Sequence, residues 1–331
     1  MRVALIGCGA VGQKRAKALP EGWWLSQVCD TEEARAVATA SKHGGHVADG
    51  HCDALLKAKV AIVATMHDSL DSVAVAAIGG NIHTLVEKPG GINAAAMKEL
   101  LRYEGKNSAI VRVGYNLRYH PAIRQAKQIV DSGALGPLMH IRAHYGHGGR
   151  PGMGREWRCD PAKSGGGVLM DMGSHLIDLS QWFMGRDLIV MSAACRDEFW
   201  HAEVEDNAYL HLETIAAQSA SLHASWTQWK NEFRFEIYGR RGKLEINGLG
   251  GSYGVERLTH WDMGDRLGVA PPSQTWEYPG PDESWALELA DFAEDIRLNR
   301  QPSCGLADAA AVLEVIERVY AQCGAREMAA A

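Results

Sequence analysis

The first thirty residues contain the feature that most constrains the fold. A short apolar run, VALI at positions 3–6, leads into GCGAVG at positions 7–12, and helix-favouring residues follow from Gln13 to Leu19. A buried strand, a Gly-x-Gly-x-x-Gly turn and a helix in this order are typical of a dinucleotide-binding unit. Because both flanking elements are present, a purely structural turn is the disfavoured alternative. The sequence therefore predicts an N-terminal Rossmann domain.

Each part of the motif has a physical role toward a dinucleotide. Gly7 permits the tight turn, Gly9 lets the backbone approach a pyrophosphate, and Gly12 lets the helix pack closely on the strand. Asp30 ends a second strand-like run over 24–29, where a carboxylate can accept hydrogen bonds from both ribose hydroxyls. The acidic Glu32 and the lack of an adjacent arginine disfavour a 2′-phosphate, so NAD is predicted and NADP is less favoured.

The order of predicted elements divides the chain into two parts. Strand-like runs at 60–65 and 83–86 alternate with helical segments at 31–43, 69–78 and 94–103, which predicts a doubly wound parallel sheet. After about Pro121 a helix is followed by six strand-like runs, several with alternating polarity, and two final helices at 284–298 and 308–322. We predict an α/β fold class: a Rossmann domain over 1–120 and an α+β domain over 121–331 with a large open mixed or antiparallel sheet.

Composition excludes several classes of partner. The 331-residue chain has a net charge of −6 and no long Lys/Arg block, so neither nucleic acid nor a membrane surface is an expected partner. Seven scattered cysteines without a Cys-x-x-Cys pair argue against disulfides and fit a reducing cytoplasm. An open sheet needs cover, and the stretch Trp226–Trp229 either contributes to a dimer interface or lines the core or substrate cleft.

A glycine run before an apolar segment carries the strongest sign of proton-transfer chemistry. Three glycines precede residues 168–178, and on an α-helix Asp171 and His175 would share one face, with Asp178 near it. A carboxylate beside an imidazole orients it and suits it to general acid/base work. A surface salt bridge is the alternative, but the neighbouring residues are too apolar for an exposed helix, and the glycines let another group approach closely.

Three further features concern ligands. Lys88, in Glu87-Lys88-Pro89 at a strand end, is placed to stabilise a developing alkoxide or else is a surface lysine. The segment 145–163 is rich in arginine, which suits an anionic substrate, although Glu156 and Asp160 could pair with those arginines instead. No metal site is predicted, because His140, His144 and His147 lack further ligands at suitable spacing.

These motifs together resemble the glucose-fructose oxidoreductase, inositol dehydrogenase and rhizopine-catabolism (Gfo/Idh/MocA) family over nearly the whole chain. The resemblance rests on the N-terminal glycine motif, EKP at 87–89, GYNLRY at 114–119, D-x-G-x-H-x-x-D at 171–178 and ASWT at 224–227. It implies a Rossmann domain with an open-sheet α/β domain, assembled as a homodimer or homotetramer. It also implies reversible hydride transfer between the nicotinamide and a secondary carbon of a sugar or cyclitol.

The resemblance places the family's catalytic lysine, aspartate and histidine at Lys88, Asp171 and His175. We expect His175, oriented by Asp171, to take the hydroxyl proton while Lys88 stabilises the oxygen. The predicted cofactor contacts are Gly7, Gly9, Ala10, Val11, Gly12, Asp30, Thr65, Glu87 and Lys88. The predicted substrate contacts are Lys88, Tyr115, Arg118, His147, Arg150, Trp157, Arg158, Asp171 and His175.

Two other functions remain open from the sequence. Some relatives cleave glycosidic bonds through transient oxidation by bound NAD, and a regulator could use the same fold to sense a sugar without catalysis. Retention of Lys88, Asp171 and His175 weighs against the regulator, because a sensor needs no proton-transfer groups. The sugar and a phosphate or nucleotide group on it are not determined by the sequence.

Overall fold

Six parallel strands form the sheet of the first structural unit. The computed structural model describes residues 1–185, 188–264 and 268–330, with 325–330 by their backbone alone. This unit comprises Met1–Asn116, Ala162–Gly165 and Trp285–Leu313. Its strands are β1 (Arg2–Ile6), β2 (Trp24–Cys29), β3 (His46–Val47), β4 (Val60–Val63), β5 (His83–Glu87) and β6 (Val111–Gly114), in the spatial order β3-β2-β1-β4-β5-β6. The strand order reverses between β1 and β4, as in a Rossmann fold, so the predicted doubly wound sheet is confirmed.

Apolar strands and amphipathic helices explain this unit. Strand β4 is fully buried, which a sheet covered on both faces requires. The first five helices are α1 (Ala10–Lys17), α2 (Glu33–His43), α3 (His51–Leu56), α4 (His67–Gly79) and α5 (Ala94–Glu104). A later helix, α9 (Ser284–Leu298), adds Leu289 and Phe292 to the core formed by the strands.

The second unit is built on eight strands. It comprises Leu117–Pro161, Gly166–Ser284 and the chain from Glu314. Its strands are β7 (Leu138–Gly146), β8 (Leu188–Arg196), β9 (Asn207–Thr214), β10 (Ser219–Ser225), β11 (Glu232–Gly239), β12 (Gly242–Asn247), β13 (Glu256–Asp262) and β14 (Ser273–Tyr278). The order is β14-β13-β12-β11-β7-β10-β9-β8, with β7 and β10 parallel and the other described pairs antiparallel. The predicted mixed sheet is thereby confirmed, and β13 and β14 are strands that the sequence analysis did not predict.

The two faces of this sheet differ in chemistry. Helix α6 (Pro121–Asp131) packs on β12 to β14, and α8 (Ser174–Met184) packs on β7 and β10. Two further α-helices among the described residues are α7 (Pro161–Ser164) and α10 (Leu306–Ala330). The other face carries polar side chains that line a shallow cavity of ≈ 620 Å³, among them Arg142, His144, Tyr209, His223 and Glu236. Alternation of apolar and polar residues along the strands produces this difference.

The tryptophan stretch is split between core and surface. Trp226 is 0% exposed, so it belongs to the core, as one of the two alternatives anticipated. Trp229, three residues later, is 69% exposed. Of these two tryptophans, Trp229 is therefore the one available for contact with another molecule.

Candidate active site

The glycine turn after β1 leaves room for a ligand. Gly7 has a positive φ of 94°, and a Cβ on it would lie 2.3 Å from the carbonyl oxygen of Ala64. A Cβ on Gly12 would lie 2.0 Å from the carbonyl oxygen of Gly7, so close packing of α1 on the turn requires glycine. At Gly9 no atom of the described residues lies within 4 Å of the Cβ position, and no described side chain caps α1. Uncapped N–H groups beside open space suit a phosphate.

Asp30 lies at the end of β2, next to this turn. Its Oδ2 accepts from the N–H of Cys8 at 2.7 Å, and its Oδ1 accepts from the N–H of Glu32 at 2.9 Å. An ionised carboxylate has about four acceptor positions, so both oxygens can also accept from a ribose diol. The fixed negative charge would repel a 2′-phosphate. These residues therefore fit NAD.

Glu87 is held in a buried ion network. Arg15 Nε donates to Glu87 Oε1 at 2.5 Å, and Arg15 Nη1 lies 2.6 Å from Glu288 Oε2. Burial raises the pKa of Glu288, and the positive charge of Arg15 opposes that rise. The network fixes the end of β5, where Lys88 follows as a partly buried side chain. Neither Arg15 nor Glu288 was singled out from the sequence.

Other predicted positions of the first unit lie beside its strand ends. Thr65 follows β4, and its hydroxyl donates to the carbonyl oxygen of Met66 at 3.2 Å. Tyr115 follows β6 and is fully buried. His67, which was not predicted, is buried at the start of α4 with Nδ1 2.8 Å from the carbonyl oxygen of Ser164.

In the second unit, Asp171 and His175 lie on one continuous helical segment. Leu169–Gly173 form a π-helical turn that α8 continues, so the winding is wider than the α-helix assumed from the sequence. His175 is 6% exposed and the Asp171 side chain 19% exposed. The segment is therefore buried, as its apolar neighbours indicated.

Tyr145 lies near both Asp171 and His175 and forms a cluster with them and Tyr253. Its ring centroid lies 6.1 Å from that of His175 and 5.5 Å from that of Tyr253. Burial, Tyr253 and the negative charge of Asp171 together raise the pKa of Tyr145 well above its usual value. The structure thus brings Asp171, His175 and two tyrosines together. Catalytic roles for Asp171 and His175 stay predictions.

The arginine-rich loop carries its own carboxylate partners. Arg150 donates to both carboxylate oxygens of Glu156, at 2.7 and 2.6 Å. Arg158 stacks on Trp157 at 4.6 Å from the ring centroid, and its Nε lies 3.7 Å from Asp171 Oδ2. The pairing of Arg150 with Glu156 is the alternative to an anion-binding role that the sequence left open.

Arg118 forms a buried bidentate pair with Asp178. Its Nε and Nη2 donate to the two carboxylate oxygens at 2.9 and 2.5 Å, and the guanidinium lies over the ring of Trp182. This pair joins α8 to the turn Asn116–Tyr119. A substrate contact by Arg118 stays a prediction.

The three histidines considered as metal ligands have separate neighbours. His140 stacks on Tyr238, and His147 Nδ1 accepts from the N–H of Gly149 at 2.9 Å. His144 Nδ1 lies 3.0 Å from Nδ1 of His223, whose pKa burial lowers to about 4. Within residues 1–185, 188–264 and 268–330, no group of three His, Cys, Asp or Glu side chains could hold a metal.

Two neighbouring acidic residues that sequence reasoning missed organise the backbone of the second unit. Asp206 accepts from the N–H groups of Glu198, Phe199 and Trp200 at 2.8–3.0 Å. Glu205 accepts from the backbone N–H groups of Gly167 and Leu169, just before Asp171. The local sequence does not single them out, because residues 197–206 contain five acidic residues and only the fold shows that Glu205 and Asp206 are the buried ones.

Comparison with known proteins identifies the family. A sequence model described as "Oxidoreductase family, NAD-binding Rossmann fold" matches residues 1–115, and the GFO/IDH/MocA C-terminal domain model matches residues 123–245. The chain therefore belongs to the Gfo/Idh/MocA family of oxidoreductases, as the motifs indicated. The prediction of an NAD-binding oxidoreductase family is confirmed.

Individual relatives are distant in sequence and similar in fold. The scyllo-inositol 2-dehydrogenase (NAD(+)) of Bacillus subtilis is 26% identical over 339 residues, covering 95% of this chain and 92% of that protein. The inositol 2-dehydrogenase 2 of Saccharopolyspora erythraea is 25% identical over 223 residues, covering 65% of this chain and 63% of that protein's length. A levoglucosan dehydrogenase, solved in complex with NADH and levoglucosan, has a TM-score of 0.88 at 19% identity, covering 98% of this chain and 97% of that one.

A separate observation concerns membranes. Among the helices that the structure describes, none combines the length and the apolar character needed to cross a bilayer.

Proposed function

We propose that this protein is an NAD-dependent dehydrogenase that reversibly oxidises a secondary alcohol of a sugar or cyclitol to the ketone. The observation that carries the proposal is the open glycine turn with Asp30 beside it, in a member of an NAD-binding oxidoreductase family. NAD, when bound there, supplies the hydride acceptor. The relatives named for inositol and levoglucosan support the substrate class.

Three side chains are proposed to carry the chemistry. His175 accepts the hydroxyl proton, and the negative charge of Asp171 stabilises the resulting imidazolium. Lys88 stabilises negative charge on the substrate oxygen. The shared cluster around Tyr145 supports the first two roles, and the position of Lys88 at the carboxyl end of β5 supports the third.

A neutral polyol is the proposed substrate. The two arginines of the loop that were predicted to contact the substrate both have acidic neighbours. Arg150 donates to both carboxylate oxygens of Glu156, and Arg158 lies near Asp171. A phosphate or nucleotide group would have to displace these carboxylates. We therefore expect free sugars and cyclitols to be better substrates than their phosphates or nucleotide derivatives.

The test is NADH formation by the purified protein with myo-inositol, scyllo-inositol, levoglucosan, glucose, glucose 6-phosphate and a UDP-sugar. Lys88→Met and His175→Asn should each lower kcat by about 10²–10⁴-fold, since each removes a group that acts in the transition state. Lys98→Met, the same change at an exposed lysine of α5, should leave kcat unchanged.

Other outcomes point to the other functions. Full turnover by Lys88→Met would contradict the role of Lys88. Glycoside cleavage without added NAD would indicate the hydrolase, and tight sugar binding without any NADH formation would indicate the sensor.

We also propose that two copies pair through the polar outer face of the eight-stranded sheet. Tyr209 is 41% exposed on this face and stacks on His223 beside the cavity, so a second sheet could cover it. Light scattering should give at least a dimer for the wild type and a smaller species for Tyr209→Lys. A monomeric wild type would contradict the proposal.

A further inference from the structure

We infer that Glu205 is a positioning residue for the Asp171–His175 segment, holding its N-terminal end in place through both side chain and backbone. The inference rests on the proposed function for its catalytic consequence. Glu205 lies two residues before β9, more than thirty residues along the chain from the start of the segment that it holds.

Glu205 satisfies three consecutive backbone donors at the start of the segment. Its carboxylate accepts from the N–H of Gly167 at 3.1 Å and from the N–H of Leu169 at 2.9 Å. Its own carbonyl oxygen accepts from the N–H of Val168, between them, at 3.0 Å. A helix start leaves four N–H groups without partners in the helix itself, and Glu205 accepts from three of them.

The glycines are required by this approach. A Cβ on Gly167 would lie 2.0 Å from the carbonyl oxygen of Glu205, and a Cβ on Gly166 would lie 1.9 Å from the Tyr320 hydroxyl. The Tyr320 hydroxyl in turn donates to Glu205 Oε1 at 2.9 Å. The groups that the glycine run admits are therefore the backbone of Glu205 and the side chain of Tyr320.

Glu205 is connected to Asp171 through one residue, Gly167. The N–H of Asp171 donates to the carbonyl oxygen of Gly167 at 3.1 Å, so Asp171 is bonded to a residue that Glu205 fixes. Burial raises the pKa of Glu205, and the backbone and Tyr320 donors oppose that rise. Loss of the cap would free the turn that sets the positions of Asp171 and His175.

The experiment compares Glu205→Gln with Glu203→Gln, the same change at an exposed residue two positions earlier. Amide hydrogen exchange over 165–175, the Kd for NAD+, kcat and the solvent deuterium isotope effect are measured, the last two on the panel polyol that the wild type oxidises fastest. Glu205→Gln should accelerate exchange at 167–169 and lower kcat by about 10–100-fold, because small misplacements of reacting groups have costs of this size.

The isotope effect distinguishes positioning from a general loss of structure. It should increase in Glu205→Gln as proton transfer becomes more limiting, whereas a smaller folded fraction would leave it unchanged. The Kd for NAD+ should stay within about twofold, since the glycine turn of the first unit is untouched, and Glu203→Gln should match the wild type. Tyr320→Phe removes one of the donors to Glu205 and should show smaller changes in the same direction. This variant replaces Glu205→Gln in the test if Glu205→Gln does not fold.

The outcomes separate this inference from the proposed function. Unchanged exchange at 167–169, or faster exchange with unchanged kcat and isotope effect, would overturn the positioning role. A wild type that oxidises none of the polyols would refute the proposed function, while faster exchange in the variant would still establish the cap.

Discussion

Two glycine runs precede helical segments in this protein, and they meet opposite needs. At 7–12 the turn leaves the space at Gly9 open among the described residues, next to uncapped N–H groups. At 165–167 the space is filled by Glu205 and Tyr320, and the N–H groups at the following helix start, 167–169, are capped by Glu205. A glycine run thus indicates close approach by some group. Only the tertiary structure reveals whether a ligand or the protein itself makes that approach.

The largest effect on stability is expected from adding a side chain to the glycine run at 165–167, where Glu205 and Tyr320 already fill the space. Gly167→Ala would place a Cβ 2.0 Å from one backbone atom of Glu205 and 2.9 Å from another. Because backbone atoms cannot move cheaply, we expect a loss of about 3 kcal/mol in the free energy of unfolding. Denaturant titration measures it, with Gly105→Ala as the control, since its Cβ would meet nothing described closer than 3.5 Å. If Gly167→Ala lost no more unfolding free energy than Gly105→Ala, the tight packing of Glu205 against the glycine run at 165–167 would be contradicted.

Removing the acidic group beside the open turn should act on the ligand instead. Asp30→Ala should weaken NAD+ binding by about 10–100-fold, because charged hydrogen bonds to the ribose diol are lost. It should also narrow the preference for NAD+ over NADP+. Calorimetric titration of both cofactors measures this, with Asp49→Ala as an exposed control. Equal NAD+ affinity in variant and wild type would remove Asp30 from the cofactor site.

Filling the open turn should have a smaller effect, and again on binding. Gly9 has a φ of −68°, which alanine adopts readily, and the added Cβ meets no described atom. Gly9→Ala should therefore change the unfolding free energy by less than about 0.5 kcal/mol. It should raise the Kd for NAD+ by about tenfold, since the methyl group occupies space needed by the pyrophosphate. If Gly9→Ala lowered the unfolding free energy markedly and left the Kd for NAD+ unchanged, the turn at 7–12 would be filled by the protein and not by a ligand.

The smallest expected effect is a pH dependence of the unfolding free energy, caused by Glu205 at the glycine run 165–167. Burial raises the pKa of Glu205 above 4.5, so between pH 4.5 and the raised value the folded protein binds more protons than the unfolded chain. Stability from this group is present below that window and declines as the pH rises through it. The unfolding free energy of the wild type relative to Glu205→Gln should therefore fall as pH increases from 4.5. A relative stability that increases with pH would mean that the donors outweigh burial.

Local signals explain which parts of the fold were predictable. The segment from β1 through Asp30 is contiguous, and its apolar run, glycine spacing and acidic residue each have a local meaning. Strands such as β11 alternate in polarity and were also predictable. In contrast, β13 and β14 were not predicted, because neither strand has a fully buried face. The contribution of α9 to the core of the first sheet was not predicted either, because α9 is far along the chain from the strands that it contacts.

The candidate site divides in the same way. Asp171 and His175 were found because residue type and spacing are visible in one segment. The π-helical turn that contains Asp171 was missed, since helical periodicity alone assumes an α-helix. Glu205 and Arg15 were missed because their partners lie far along the chain, and nothing near them in sequence indicates those contacts.

Amide hydrogen exchange with and without NAD+ tests the central contrast most directly. We predict that amides 9–12, at the uncapped start of α1, exchange readily in the free protein and become protected on addition of NAD+. Amides 167–169 should already be protected without it, and NAD+ should leave their exchange unchanged. Exchange at 9–12 that NAD+ does not slow, or fast exchange at 167–169 in the free protein, would contradict the account.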